Sequence, residues 1–259
     1  MARLSGVSLS VLMIAGMLLL CIPISAGGIV AAPRLPGLRN GTSSNWSGYA
    51  VTGNVGSVTD VKGSWIVPAI QGSCPAGSKK QPNNQYSSFW VGIDGYTSNT
   101  VEQTGTDSDC QNGKAVYYAW YEFYPQPSFV ISSLVIHSGD VISAEVKYTS
   151  GAFTITITDT TTGKSFSASK KTGSAQRTSA EWIAEAPWSG GVLPLANFGT
   201  VFFSSCSATV GGVTGAIGSF GSAVQSITMV TSSGETKAVP SGLSGGGSSF
   251  TVTWASSGL

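Results

Sequence analysis

Carboxylates set among apolar and aromatic residues are the chemistry-bearing feature of this 259-residue chain. The segment AEWIAEAP at Ala180–Pro187 holds two of them, Glu181 and Glu185. Read as a β-strand, it puts Glu181, Ile183 and Glu185 on one face and Trp182 and Ala184 on the other, because successive side chains alternate. A carboxylate on a half-buried face is costly unless it is paired, hydrogen-bonded or used. Asp94, Glu102, Asp107 and Glu122 sit in similar apolar contexts, and all 12 acidic residues fall between Asp60 and Glu235. Two facing carboxylates suit glycoside hydrolysis, one as acid and the other as nucleophile or base; Glu122 and Glu185 would be that pair. The aromatic run AVYYAWYEFY at Ala115–Tyr124 would equally suit stacking on sugars. From residue types alone, a two-carboxylate glycosidase or a non-catalytic carbohydrate-binding protein is the first expectation.

Several other chemistries lack their residues. His137 is the only histidine, in VIHSGD, and reads as a surface or turn residue. That leaves little room for Ser-His-Asp or Cys-His catalysis, and there is no GxSxG elbow. No glycine loop between strand and helix could cradle phosphate. The paired DTG/DSG strings of pepsin-like proteases are missing; the nearest are GIDG at Gly92–Gly95 and QTG at Gln103–Gly105. With no CxxC or Cys/His spacing, a metal site is not expected.

Charged residues make up only 10% of the chain against about 25% in typical domains. Net charge is +1, which gives no electrostatic reason to expect nucleic acid as a partner. Few carboxylates also mean few native ion pairs to lose in acid. At the N-terminus, Arg3 precedes a stretch over Val7–Leu20 that is apolar apart from Ser8, Ser10 and Gly16. Ile24-Ser25-Ala26 then offers a small-residue cleavage site, so residues 1–26 read as a secretory leader. An uncleaved anchor is the alternative, since the apolar stretch approaches spanning length. Export, no lasting membrane association and a monomer are expected. Of four cysteines, Cys21 falls within the leader, which leaves Cys74, Cys110 and Cys206. Three cysteines allow one intramolecular disulfide, and Cys74–Cys110 is the expected pair.

Residues 27–43 have no periodicity and read as a short pro-segment or linker. Asn40-Gly-Thr and Asn45-Trp-Ser carry glycosylation acceptor patterns. From Ser44 onward strand signals recur: Asn45–Val51, Val58–Val67, Tyr86–Ile93, Thr100–Thr106, Ala115–Tyr124, Val141–Tyr148, Ala152–Asp159, Lys164–Ser169, Arg177–Glu185, Thr200–Ser205, Ser226–Thr231 and Ser249–Trp254. The clearest is Ala152–Asp159, where Phe153, Ile155 and Ile157 alternate with threonines. No stretch outside the leader offers an amphipathic helix of ordinary length. Many short strands rich in Thr, Val and aromatics, separated by glycine turns, indicate one all-β domain over 44–259, a β-sandwich or barrel.

A resemblance narrows these alternatives. SNWSGYA at Ser44–Ala50, FWVGIDG at Phe89–Gly95, QTGTD at Gln103–Asp107, AWYEFYP at Ala119–Pro125, SGD at Ser138–Asp140, TTGK at Thr161–Lys164 and AEWIAEA at Ala180–Ala186 occur in the order found in glutamic peptidases. The chain resembles that family, the eqolisins, over nearly all of Ser44–Trp254. The resemblance implies a sandwich of two curved antiparallel sheets, of concanavalin or jelly-roll type, and an endopeptidase acting on polypeptides at acid pH. It also implies a catalytic pair, Gln103 and Glu185. Trp90 and Trp120 would line the substrate cleft, a placement that core packing would explain equally well, and Asp94, Asp107 and Glu122 would hydrogen-bond around the pair.

The implied chemistry needs no metal, cofactor or covalent intermediate. Ionised Glu185 would take a proton from a water attacking the scissile carbonyl, and the Gln103 amide would donate to the developing oxyanion. A glutamate near its ordinary value of about 4.3 stays partly ionised in acid, consistent with acid-range activity. Gly105, on the face of Gln103, is expected to open space beside it. Glu181 shares Glu185's face and is given at most a supporting role. Tyr118 and Gln126-Pro127-Ser128 replace more acidic residues of the family pattern, so a higher pH optimum is expected.

Overall fold

The computed structural model describes residues 41–77 and 83–258. The expected leader and most of the segment 27–43 lie outside the described residues. Among the described residues sixteen strands form: β1 (Thr42–Ser43), β2 (Trp46–Thr52), β3 (Val58–Ile66), β4 (Ser88–Ile93), β5 (Glu102–Gln111), β6 (Lys114–Phe123), β7 (Phe129–Val130), β8 (Val141–Thr149), β9 (Ala152–Asp159), β10 (Lys164–Lys170), β11 (Ser179–Glu185), β12 (Thr200–Val210), β13 (Val213–Ala216), β14 (Val224–Val230), β15 (Thr236–Pro240) and β16 (Phe250–Trp254). Among the described residues, two short 3₁₀ segments, Ile217–Ala223 and Gly245–Gly247, interrupt them. The fold is all-β and antiparallel except where β1 runs parallel to β14. Hydrogen bonding links the strands into one continuous sheet, with β14 joined to β15 on one side and to β2 on the other.

Periodicity decides which residues go inside. In β9, Phe153, Ile155 and Ile157 are fully buried. The intervening threonines face out and pair with hydroxyls of β10, as in Thr154 with Ser169 and Thr158 with Ser165. β11 divides likewise: Trp182 and Ala184 join the large core, whereas Ile183 joins a second apolar cluster on the opposite face. That second cluster also contains Trp46, Ala50, Trp90, Val101, Trp120 and Ile227. Two buried indoles tie the large core together across strands that are not paired. Trp65 Nε1 of β3 donates to Thr106 Oγ1 of β5 at 2.9 Å, and Trp182 Nε1 of β11 donates to the Lys62 carbonyl of β3 at 2.6 Å.

The turn that matters most for function joins β5 to β6. Asn112 and Gly113 both take positive φ, 53° and 76°, the two-residue turn whose twist matches antiparallel strands. It sets Gln111 opposite Lys114, and alternation then brings Gln103 opposite Glu122. Beside that turn, Cys110 is bonded to Cys74, the expected disulfide. Cys206 is free and buried, and its thiol donates to the Ser204 carbonyl.

Candidate active site

Register places the candidate residues on one face. Gln103 of β5 pairs with Gly92 of β4 and Glu122 of β6, while Gly92 pairs with Glu181 of β11. Glu185 pairs with Ser88, which pairs with Asp107, which pairs with Tyr118. Paired residues share a face, so Gln103, Asp107, Tyr118, Trp120, Glu122, Glu181, Glu185 and Trp90 all belong to the face of the second apolar cluster. Gln103's own row holds Glu181, and Glu185 lies four residues further along the same strand. On a flat sheet, two strands and four residues amount to offsets of about 10 Å and 13 Å.

Trp90 spans that offset. Its Nε1 donates to Glu185 Oε2 at 2.8 Å. The far edge of the same indole lies over Gly92, where a Cβ would stand 3.0 Å from Trp90 Cζ3 and 3.1 Å from Gln103 Cβ. The glycine that makes room beside Gln103 is therefore Gly92. Gly105 does something else: a Cβ there would meet the Phe89 carbonyl at 2.3 Å and Trp90 Cβ at 2.7 Å, so it lets β4 and the Trp90 side chain close on β5.

Glu185 is 1% exposed and is held by designated donors. Asn45 Nδ2 donates to Oε1 at 3.0 Å, opposite the Trp90 bond to Oε2. Burial raises its pKa well above the ordinary carboxylate range, and the nearby Glu122 carboxylate raises it further. Trp90 and Asn45 oppose the rise, as does the Trp46 indole, which falls short of hydrogen-bond geometry. Glu185 is thus not the ordinary glutamate of about 4.3 that the sequence suggests. Asn45 is only 3% exposed and already committed to Glu185, so its acceptor pattern is no accessible glycosylation site in the folded chain.

Gln103 is fully buried, and its Nε2 lies 2.5 Å from Glu122 Oε2. Burial pushes Glu122 up to about 8, a rise that the Gln103 contact moderates. Asp107 accepts from Trp120 Nε1 at 2.5 Å and from the Tyr118 hydroxyl at 2.7 Å, and that hydroxyl also lies 3.0 Å from Asp109 Oδ2. Burial holds Asp107 near 6 despite these donors, and burial together with Asp107 pushes Asp109 well above its ordinary range. Glu181 is fully buried and likewise raised by burial, with the Ser179 hydroxyl and the Tyr96 backbone N–H acting against the rise.

Asp94 stands apart from the pair. With φ of 76°, it turns its carboxylate onto the backbone N–H groups of Arg177 at 2.7 Å and Thr178 at 2.9 Å. Those residues lead into β11, so Asp94 anchors the strand that carries Glu181 and Glu185. Asn45 and Trp46 are the site residues the sequence reading passed over. The SNW string was visible, but nothing local says that an asparagine at the edge of β2 faces Glu185 across the β2–β11 pairing. His137 is an exposed turn residue, 3.6 Å from Asp140, as expected. No group of His, Cys, Asp and Glu among the described residues could hold a metal.

An all-β sheet with a buried amide–carboxyl pair beside an indole-bound glutamate defines a hydrolase-type site without a histidine. Comparison with known proteins names the class. The chain matches the Peptidase A4 family over residues 44–254 and belongs to that family, the glutamic peptidases. It is 36% identical over 190 residues to aspergillopepsin-2 of Aspergillus niger, 66% of each chain. Identity to scytalidopepsin B of Scytalidium lignicola is 35% over 203 residues, 72% of each. Among solved structures, scytalido-glutamic peptidase with a transition state analog inhibitor superposes with a TM-score of 0.67 at 29% identity, covering 82% of this chain and 98% of that one. Aspergilloglutamic peptidase from Aspergillus niger gives 0.59 at 34% identity, covering 66% and 99%. A further eqolisin structure, SCP-B, holds the tripeptide Ala-Ile-His; its TM-score is 0.64 at 28% identity.

Proposed function

We propose that the chain is an exported endopeptidase that hydrolyses polypeptides in acid, with Gln103 and Glu185 as the catalytic pair. The observation that carries this reading is the shared face of Gln103 and Glu185, bridged by the Trp90 indole. Glu185 in its ionised form removes a proton from the attacking water; the Gln103 amide donates to the oxyanion; Glu185 then returns the proton to the leaving amine. The two N–H donors on its carboxylate favour the ionised form that the first step needs. Trp120 fastens Asp107, and Glu122 holds Gln103. A substrate must displace neighbouring side chains to reach Glu185 at 1% exposure.

The continuous sheet is read as folded back into two facing layers, supported by the Trp65 and Trp182 bonds between unpaired strands. Residues 44–259 form one domain, preceded by a leader over 1–26 and a connector over 27–43, of which Thr42–Ser43 already pairs with β14. The Cys74–Cys110 disulfide supports export into an oxidising compartment.

The test is hydrolysis of a denatured protein at acid pH by wild type, Gln103→Ala, Glu185→Gln and Glu181→Gln. The reading expects losses of about 10²–10³ or more for the first two and a folded, active Glu181→Gln. Full activity in Gln103→Ala or Glu185→Gln would overturn it, and loss confined to Glu181→Gln would move the base four residues back along β11.

A further inference from the structure

We propose that Glu122 acts as a neutral acid, donating its carboxyl proton to Gln103 Oε1 and so turning the Gln103 NH₂ group toward the reaction. The inference rests on the Gln103/Glu185 reading and adds the protonation state and orientation on which the pair depends.

Three observations lead there. The heavy atoms of the two side chains stand 2.5 Å apart. That is as short as the Trp120 Nε1–Asp107 bond and lies within the 2.5–3.0 Å of an O–H···O bond, so it admits an O–H donor as well as an N–H one. The amide's oxygen and nitrogen exchange places by rotation of its end group, so the short contact fits an acid hydroxyl donating to the amide oxygen. Secondly, with nitrogen toward Glu122, Gln103 Oε1 is buried without a donor among the described residues, which costs about 1–3 kcal/mol. Exchange satisfies the oxygen and leaves the two N–H groups to find their acceptor in the oxyanion or a bound water. Thirdly, an amide whose nitrogen is spent on a carboxylate has one fewer N–H to offer an oxyanion, whereas an amide held through its oxygen keeps both.

The surroundings favour the neutral acid. The titratable groups on the same face are Glu181 and Glu185 of β11, Asp107 and Asp109 of β5 and Tyr118 of β6 itself, with Tyr96 and Tyr124 packed against its apolar cluster. None is a cation, and burial alone holds the Glu122 carboxyl up to about 8. Glu122 therefore keeps its proton through acid and neutral pH. As pH rises through about 8, ionised Glu122 accepts from Gln103 and draws the amide away from the oxyanion. Glu122 is a positioning residue, and its ionisation sets the alkaline limb of the activity profile.

The experiment compares Glu122→Met and Glu122→Gln with wild type in kcat/KM against a peptide substrate from pH 3 to 9, with folding checked at each pH by near-UV circular dichroism. Methionine removes the donor; glutamine supplies an N–H donor at every pH. The expected result is a loss of about 10²–10³ in Glu122→Met. Glu122→Gln should bring activity back to within about tenfold of wild type and lack the alkaline limb while folded. In addition, a wild-type minus Glu122→Gln infrared difference spectrum at pH 6 should show a neutral carboxylic C=O band, which does not depend on turnover. An unchanged alkaline limb in folded Glu122→Gln, full activity in Glu122→Met, or a carboxylate signature at pH 6 each overturns the proposal. The parallel controls separate it from its foundation: if Gln103→Ala is fully active, the catalytic pair is wrong; if it is inactive while Glu122→Gln keeps the wild-type profile, only the role of Glu122 is wrong.

Discussion

Glu102 gives the sharpest test of how this fold depends on pH. It opens β5 one residue before Gln103, on the opposite face, in register with Ile93 and Phe123 of the large core. It is fully buried. Burial and the neighbouring Asp94 charge push its pKa up to about 8, against weaker opposing effects of Thr172 and Lys170. The unfolded chain releases this proton near 4.5, so the folded state binds the proton more tightly. Its contribution to stability is complete below about 4.5 and is lost as pH rises through about 8. Three to four pH units at 1.36 kcal/mol each give about 5 kcal/mol at most, against a total of about 5–15 kcal/mol for an ordinary domain. Glu102→Gln keeps the shape and has no proton to lose. Urea unfolding of wild type and Glu102→Gln at pH 4.5 and 8 should therefore show the wild type losing about 3–5 kcal/mol more than the variant across that interval. In thermal melts this is a difference of about 6–20 °C for a domain of this size. Parallel stability curves for the two proteins would refute the reasoning, because they would mean that Glu102 ionises in the fold as it does in water.

Other predictions follow from single contacts. Trp90→Phe removes the N–H on Glu185 Oε2 and should move the acid limb of kcat/KM to higher pH, measured on a peptide substrate; a limb unmoved or shifted downward would separate Trp90 from Glu185. Replacing Cys74 and Cys110 by serine opens a crosslink of sequence separation 36 and should lower stability by about 4 kcal/mol on loop entropy, read by denaturant unfolding with and without reductant. Asp94→Ala strips the acceptor from the amides of Arg177 and Thr178; a loss of about 2–4 kcal/mol is expected, with faster amide exchange at the start of β11 than at the start of β9.

Alternation made much of the site legible. The face shared by Glu181, Ile183 and Glu185, and the division of Tyr118, Trp120 and Glu122 from Tyr117, Ala119 and Phe123, follow from the two-residue period and are what the two apolar clusters show. Strand lengths were less legible. β5 continues past Thr106 to Gln111 through polar and acidic residues, because Asp107 and Asp109 are buried against Trp120 and Tyr118, which no local pattern reveals. β1, β7, β13 and β15 escaped altogether, being two, two, four and five residues long. Nor could parity choose between Glu181 and Glu185: both face the same way, Glu181 occupies Gln103's row, and only the donors Asn45 and Trp90, brought in from β2 and β4, mark Glu185 out.

Low charge also proved to mean something different from what composition suggests. Few ion pairs should make a fold tolerant of acid, and the ion pairs of Lys62 with Asp60 and Glu145 do lie at a half-exposed lysine. The acids that matter are buried instead. The Tyr118 hydroxyl has one proton and lies within hydrogen-bond distance of both Asp107 and Asp109, so it can donate to only one of them at a time; Asp109 also accepts from Gln111 Nε2 and the Ser87 N–H, yet burial raises both carboxyls. Glu102 and Glu122, each held to about 8, keep their protons. A fold that stores protons in its interior is stable where protons are plentiful and is strained where they are scarce. The acid medium that keeps Glu122 neutral beside Gln103 is then the medium that keeps β5 packed, whereas Glu185, also raised by burial, must be ionised to act and sets the opposing acid limit.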